Sequence, residues 1–140
     1  MNTLKIKILH PDAITPTRSH STDAGLDLYA LEDTYFHDET KLVKTGIAVD
    51  IPSGYEAQVR PRSGMTLKTP MKVQLGTIDS GYTGDVGVIV DCKGLHAIGA
   101  GDKIAQLVIS PVELPQVQVV EELESESERG NRGFGSTDVQ

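Results

Sequence analysis

The sequence predicts an all-β domain of the jelly-roll or β-barrel type, followed by a flexible C-terminal tail. Apolar and polar residues alternate in several short runs, which is the period-two pattern of strands with one buried face. Glycine and proline clusters such as "IPSGY", "RPRSG" and "IGAGDK" separate these runs and are typical of tight turns. Many short strands at even spacing with such turns favour a barrel or a sandwich, and a jelly roll in particular.

The predicted strands follow one another along most of the chain. In the first, Leu4, Ile6 and Ile8 alternate with lysines. The same pattern returns at 26–30, 47–51, 55–59, 86–90, 106–109 and 116–120. The stretch "GMTLK" predicts one short helical turn, and the sequence contains no longer amphipathic helix.

The C-terminal composition predicts a change of structure after residue 120. Residues 121–128, "EELESESE", contain five glutamates and are typical of a solvated linker. A glycine-rich end follows. We therefore expect a β jelly-roll domain at 1–120, followed at 121–140 by an acidic linker and a glycine-rich C-terminal segment.

Length and charge limit the classes of function. The 140 residues fit one domain, and the net charge of -7 argues against a protein that lives on nucleic-acid backbones. The N-terminal run lacks the features of a signal peptide, and no stretch has the apolar length of a membrane span. The single cysteine, Cys92, suits a reducing compartment. We expect a soluble cytoplasmic protein that binds neither nucleic acid nor membranes.

The stretch "GTIDSGYTGD", Gly76 to Asp85, has two interpretations. As structure, it is an ordinary β-hairpin turn. As a site, it brings an acid, Asp79, close to an aromatic hydroxyl, Tyr82. An acid beside a flat ring suits a nucleoside, because the acid can orient water or bind a sugar hydroxyl while the ring packs on the sugar.

Three further positions are candidates for binding phosphate or metal. "RPRSG" groups a guanidinium, a hydroxyl and a glycine in the manner of a phosphate cradle, although it also fits a solvated turn. Gln106 is a polar residue within a buried strand. Asp27 lies on the polar face of its strand, about 13 Å from Asp23 if that strand is continuous, so the two acids do not chelate one ion. The scattered histidines show no zinc spacing, so any metal should be a hard ion such as Mg²⁺, brought mainly by substrate phosphates.

The final stretch, "ERGNRGFGSTDVQ", combines features of disorder with chemically useful side chains. Its glycines are typical of a frayed end. Disorder alone does not explain the spacing of Arg129, Phe134 and Ser136.

Taken in order, five segments resemble the motifs of the trimeric dUTP nucleotidohydrolases, or dUTPases. They are "DAGLDLYA" at 23–30, "RPRSGM" at 60–65, "GTIDSGYTGD" at 76–85, "GDKIAQL" at 101–107 and "RGNRGFGST" at 129–137. The match covers nearly the whole chain and keeps the family order.

The resemblance implies an activity and assigns roles to residues. The activity is hydrolysis of dUTP to dUMP and pyrophosphate by Mg²⁺-dependent in-line attack of water on the α-phosphate, which keeps uracil out of DNA and supplies dUMP for dTTP synthesis. Asp79 resembles the residue that activates the water, and Tyr82 the ring that packs under the deoxyribose and excludes a 2′-hydroxyl. Asp27 resembles the acid that holds Mg²⁺ through water. The substrate-binding positions implied by the resemblance are Arg62, Ser63, Gly64, Gly76, Ile78, Gln106, Arg129, Phe134, Gly135, Ser136 and Thr137.

Within that set, Arg129 matches the γ-phosphate clamp and Phe134 the lid ring that stacks on uracil. The resemblance also implies a homotrimer whose sites lie at subunit interfaces, each covered by a tail from another subunit. This chain departs from the pattern at Arg132 and Asp138, where the family usually has glycine. Val73 and Gln74 stand where a small polar residue often helps to read the base, so backbone groups near Gly76 are expected to read uracil instead.

Two other functions remain open on the sequence. A dCTP deaminase on the same scaffold needs an acid at the exocyclic amine of the base, and only Glu56 is available for this role, in an uninformative setting. A regulatory module that keeps the nucleotide site as a sensor is the other. Asp79 favours an enzyme over that module.

Overall fold

The computed structural model describes residues 1–135, and these residues form an all-β fold with one short helix. The strands in chain order are β1 (Lys5–Ile8), β2 (Gly25–Tyr29), β3 (Thr34–Lys44), β4 (Ile47–Asp50), β5 (Tyr55–Arg60), β6 (Met71–Val73), β7 (Gly76–Ile78), β8 (Gly87–Ile98) and β9 (Lys103–Pro111). The helix α1 is Ser63–Lys68, where the sequence predicts a short helical turn. The helix of the described part has six residues, well short of what would cross a bilayer.

The strands form three antiparallel sheets whose order differs from the chain order. One sheet has the order β2-β9-β5-β7, the second β3-β8-β6, and the third pairs β1 with β4. Strands far apart in sequence, such as β2 and β9, therefore lie side by side. This crossing is the pattern of a jelly roll and agrees with the predicted fold class.

One apolar core lies inside these sheets. Strand β8 shows how the sequence builds it, because Val88, Val90 and Cys92 are buried while Ile89 and Lys93 face outward. Leu28 and Leu107 are fully buried on the paired strands β2 and β9. This packing fixes the strands that carry the candidate residues Asp27 and Gln106.

Strand β3 is long and was not predicted from the sequence, and a bulge explains why. Its register with β8 shifts between His37 and Glu39, where Asp38 has a positive φ of 50°. Before the bulge an even-numbered residue, Phe36, is buried, and after it an odd-numbered one, Val43. The bulge therefore interrupts the alternation of buried and exposed residues along the strand. The Asp38 carboxylate accepts a hydrogen bond from the backbone N–H of Gly94 at 2.6 Å, which holds the bulge against β8. Strands β6 and β7, of three residues each, were also not predicted.

The predicted strand at 116–120 is wrong for the single chain. The last strand of the described part ends at Pro111, and residues 112–135 belong to no strand. Val117 and Val119 are 88% and 93% exposed. The alternation is real, but within the described residues no neighbouring strand pairs with it.

Candidate active site

Five of the predicted site residues line one cleft of about 360 Å³, which we call the arginine cleft. They are Asp27, Arg62, Ser63, Gly64 and Gln106. The sheet brings them together because β9 lies between β2 and β5. Gln106 is paired with Asp27 on one side and with Arg60 on the other, and the chain runs from Arg60 directly into α1.

Asp27 lies between two cations in this cleft. Its carboxylate is 3.2 Å from the Arg62 guanidinium and 3.4 Å from the Lys103 ammonium, and it accepts a hydrogen bond from the Ser19 hydroxyl at 3.2 Å. The Asp27 side chain is only 11% exposed, so it needs such partners to remain charged. With Asp23, which also lines the cleft, the two acids balance the charges of Arg62 and Lys103. The Arg62 guanidinium, the Ser63 hydroxyl and the open position beside Gly64 are the groups here that suit an anionic ligand.

Gln106 is held in place by its neighbours. Its side-chain amide donates a hydrogen bond to the backbone carbonyl of Pro61 at 2.9 Å, which ties β9 to the start of α1. Glycine at position 25 makes room for the Gln106 side chain, since a Cβ on residue 25 would overlap the Gln106 amide oxygen. Gly64 differs, because a Cβ there would meet nothing within 4 Å. The chain's own packing does not require glycine at 64, which leaves open space for a ligand beside α1.

A second cleft of about 370 Å³ contains the residues of the predicted hairpin, and we call it the hairpin cleft. Gly76, Ile78, Asp79 and Tyr82 line it. The turn is closed by a hydrogen bond from the backbone N–H of Tyr82 to the carbonyl of Asp79 at 3.1 Å, and Gly81 takes a φ of 95° that favours glycine. Ile78 is buried beneath the turn, whereas Asp79 is exposed. The candidate acid is therefore open to solvent on a fixed turn.

Asp85 anchors the hairpin to the body of the fold. Its carboxylate accepts hydrogen bonds from the backbone N–H of Gly46 at 2.8 Å and of Thr45 at 3.3 Å. The Tyr82 hydroxyl donates to the carbonyl of Asp85 at 2.8 Å, and the tyrosine ring lies against Gly84, where a Cβ would come within 2.8 Å of the ring carbon that bears the hydroxyl. Asp85 thus fixes both the turn and the ring.

The candidate acid and the arginine cleft lie at different positions along β5. Strand β7 pairs with β5 so that Ile78 is opposite Ala57, which puts Asp79 level with Glu56 near the start of β5, whereas Arg60 is the last residue of β5 and leads into the arginine cleft. This is about four residues, or about 13 Å along the strand, at about 3.3 Å per residue. The residues that line the two clefts are entirely different. One chain therefore does not bring its candidate acid and its arginine cleft into a single site.

The tail residues that the structure describes lie away from both clefts. Phe134 is fully exposed and has a positive φ of 49°. Arg129 and Arg132 hydrogen-bond to each other's backbone carbonyls. Gly135 is exposed as well. Ser136, Thr137 and Asp138 lie outside the described residues.

Sequence reasoning missed Ser19 and Lys103 as partners of Asp27, and Asp85 as the anchor of the hairpin. The position of Ser19 in the sequence does not predict its contact with Asp27. That contact depends on a backbone bridge between Thr17 and Asp27, which brings the loop containing Ser19 onto the cleft. The expected geometry of Asp23 was wrong, since β2 begins at Gly25 and Asp23 lies in the preceding turn. Asp23 lines the arginine cleft, yet among residues 1–135 no group of three or more histidine, cysteine or acidic residues could hold a metal.

The largest cleft, of about 730 Å³, contains none of the predicted site residues. Asp91 lines it, and hydrogen bonds from Thr40 and Gln74 lower the pKa of this carboxyl, with the nearby Lys72 charge acting in the same direction. Burial raises the pKa of the Cys92 thiol, and the Asp38 charge adds to this effect. A buried thiol that stays protonated is a poor nucleophile, so Cys92 has a structural role here.

The sequence matches a known protein family along most of its length. The dUTPase family model matches residues 12–138. A deoxyuridine 5′-triphosphate nucleotidohydrolase of Clostridioides difficile is 46% identical over 142 residues, covering 98% of this chain and 99% of the relative. One of Clostridium tetani is 45% identical, covering 96% of each chain.

Solved structures of phage enzymes share the fold. A mutant of the Staphylococcus bacteriophage 80alpha dUTPase with dUpNHpp superposes with a TM-score of 0.92 at 35% identity, covering 98% of this chain and 99% of the other. A mutant dUTPase of the S. aureus phage phi11, described for its coordination of a structural Mg(II) ion, has a TM-score of 0.84 at 34% identity, covering 89% of this chain and 100% of the other.

Proposed function

This chain belongs to the dUTPase family and is an enzyme of that family, and we propose that it hydrolyses dUTP to dUMP and pyrophosphate by attack of a water on the α-phosphate. One observation carries the proposal beyond the family match. The exposed acid and ring of the hairpin cleft suit a nucleoside with its attacking water, and the guanidinium, hydroxyl and glycine of the arginine cleft suit the phosphates. In the cell this reaction would keep uracil out of DNA and supply dUMP for dTTP synthesis. The cytoplasmic location stays a prediction from the sequence.

The hairpin cleft would bind the nucleoside and supply the base. Asp79 is exposed at the tip of a turn that Asp85 anchors. Its carboxylate can therefore orient a bound water at a small cost in conformational entropy. The Tyr82 ring is fixed at its hydroxyl and would pack on the deoxyribose. A ring held in this way leaves little freedom to admit a 2′-hydroxyl.

The arginine cleft would bind the triphosphate. Arg62 presents a fork of N–H donors that matches phosphate oxygens, and its Nε already faces Asp27. Asp27 keeps the guanidinium in place, and Lys103 adds a second positive charge. Charge developing on the leaving pyrophosphate would be stabilised by these fixed cations, which need no reorganisation during the reaction.

Magnesium fits this site only as a companion of the substrate. Arg62, Lys103 and Ser19 use three of the about four acceptor positions of the Asp27 carboxylate, which leaves too few for this residue to chelate a bare cation. We infer that Mg²⁺ enters bound to the phosphates of dUTP, and that Asp27 contacts it only through water. Mg·dUTP is then the substrate.

A homotrimer with shared sites would join the two clefts. Within one chain Asp79 lies about four residues along β5 from the residue that leads into the arginine cleft, so the hairpin of one subunit would have to face the arginine cleft of the next. The segment after β9 supports close contact between copies, because Leu114, Val117, Val119 and Leu123 expose apolar surface that a monomer leaves in water. The tail, which follows this segment, would cover a site on another subunit.

The position of Glu56 does not favour the deaminase alternative. Glu56 lies within β5, and its carboxylate accepts a hydrogen bond from the Gln58 side chain at 2.8 Å. It lines neither the hairpin cleft nor the arginine cleft. A deaminase acid must reach the exocyclic amine of a bound base.

The test is release of pyrophosphate from dUTP, dCTP, dTTP and UTP in the presence of Mg²⁺, with ammonia measured in parallel for dCTP. We expect rapid release from dUTP alone and no ammonia. The Asp79→Asn variant should lose this activity, whereas Asp50→Asn, at an exposed acid at the end of β4, should retain it. Equal turnover of all four nucleotides, or full activity of Asp79→Asn, would contradict the proposal.

A further inference from the structure

Residues 127–133 form a local turn held by two arginines. The Nε of Arg129 donates to the carbonyl of Arg132 at 2.6 Å, and the Nε of Arg132 donates to the carbonyl of Arg129 at 3.2 Å. A terminal nitrogen of Arg132 also donates to the carbonyl of Glu128. The backbone N–H of Gly130 donates to the carbonyl of Ser127 at 3.2 Å, with Gly130 at a φ of 55°. The turn is therefore closed by side chains as well as by the backbone.

Within residues 1–135 the turn uses only the Nε of Arg129, and its two terminal nitrogens make no hydrogen bond. These two nitrogens can form a two-pronged contact with a phosphate. Gly133 gives the guanidinium room, since a Cβ there would lie 3.0 Å from one terminal nitrogen of Arg129. An arginine ordered before it binds loses less side-chain entropy on binding than a free one.

We propose that Arg132 is a positioning residue for Arg129: its two-pronged contact with the carbonyls of Glu128 and Arg129 holds the turn in the shape that aims the Arg129 guanidinium at the terminal phosphate of the bound nucleotide. The inference rests on the proposed function, because it needs a triphosphate in the site. Arg132 itself touches no substrate. Its action is on the shape of the turn and, through it, on Arg129.

Charge alone is the competing explanation for an arginine at this position. Residues 121–128 carry five glutamates, and Arg129 and Arg132 are the basic residues that follow them. A lysine at 132 would keep the charge but lacks the forked donor that reaches two carbonyls at once. The two explanations therefore differ in what a lysine does.

The first experiment measures steady-state kinetics on the full-length protein with Mg²⁺ and dUTP for Arg132→Gln and Arg132→Lys, with Asn131→Ala as the matched control on the adjacent exposed residue. Ordering of one long side chain is worth about 2- to 10-fold in binding, and we expect a loss of this size in kcat/KM for both Arg132 variants. Inhibition by pyrophosphate should weaken by a similar factor, and inhibition by dUMP should not change. Wild-type kinetics for Arg132→Lys would overturn the positioning role.

The second experiment tests whether Arg132 acts through Arg129. We expect Arg129→Gln alone to cost more than Arg132→Gln, and the double variant to be no worse than Arg129→Gln. If the fold-losses in kcat/KM of the two single variants multiply in the double variant, Arg132 acts independently of Arg129, which overturns the inference. If the wild type releases no pyrophosphate from dUTP, the proposed function fails. If it does so and Arg132→Gln matches it, the inference alone fails.

Discussion

Two glycines in the arginine cleft should respond in opposite ways to the same substitution. At Gly25 an alanine Cβ would overlap the Gln106 amide oxygen and lie 3.1 Å from the Gln106 Cβ. The Gln106 side chain must then swing away and lose its hydrogen bond to the Pro61 carbonyl. At Gly64 the same methyl group meets open space in this chain.

The magnitudes follow from these contacts. Loss of the Gln106 hydrogen bond costs about 1 kcal/mol, and the remaining tight Cβ contact raises the total for Gly25→Ala to about 1–2 kcal/mol. This corresponds to a fall in Tm of about 3–8 °C. Gly64→Ala lies within α1, where alanine is better than glycine, so it should raise stability by about 0.5–1 kcal/mol.

The two variants should differ in how activity and stability change together. Gly25→Ala should lose both stability and activity, because Gln106 leaves the cleft. Gly64→Ala should be more stable yet lower kcat/KM for dUTP about tenfold, since its methyl group would occupy the space beside the phosphates. Thermal unfolding at equal protein concentration and pyrophosphate release measure the two effects. Full activity of Gly64→Ala would refute phosphate binding beside α1, and an unchanged Tm for Gly25→Ala would refute the close approach of Gly25 to Gln106.

Three further outcomes are expected. Deleting residues 129–140 should leave the fold intact and lower kcat by about 10- to 100-fold, because the proposed lid would supply phosphate contacts and exclude water. Equal turnover of the truncated and full-length enzymes would show that the tail takes no part in catalysis. UTP should be hydrolysed with a much lower kcat/KM than dUTP because the Tyr82 ring would exclude the 2′-hydroxyl, and comparable values would contradict that role. Thr40→Val should raise the pKa of Asp91 toward its usual range in an NMR titration. The hydrogen bonds to Asp91 contribute stability above the ordinary carboxyl pKa, and that contribution is lost as the pH falls through the lowered value, so an unchanged Asp91 pKa in Thr40→Val would disprove their role.

The sequence predicted the all-β fold because most strands keep a clean alternation, as β8 does around Val88 and Val90. The sequence pattern did not predict β3, because the bulge at Asp38 changes which positions of this strand are buried. It also predicted a strand at 116–120, because alternation reveals the tendency to pair but not whether the partner belongs to the same chain.

The candidate site was predicted in part. Gly76, Ile78, Asp79 and Tyr82 were placed together correctly because they are neighbours in one hairpin, and local spacing is readable. The contacts of Asp27 with Ser19 and Lys103 were not predicted, since they depend on a loop that crosses the sheet and on the pairing of β2 with β9. Contacts between residues that are far apart in the sequence cannot be predicted from the local spacing of residues.

In the proposed trimer, one active site combines the hairpin of one subunit with the arginine cleft of another. This is tested by mixing two inactive variants, Asp79→Asn and Arg62→Ala, unfolding and refolding them together at equal amounts, and measuring pyrophosphate release from dUTP. Each mixed trimer would have one site in three with an intact hairpin and an intact arginine cleft, and about three quarters of randomly assembled trimers are mixed, so the mixture should recover about a quarter of wild-type activity. A mixture as inactive as each variant alone would contradict the shared site.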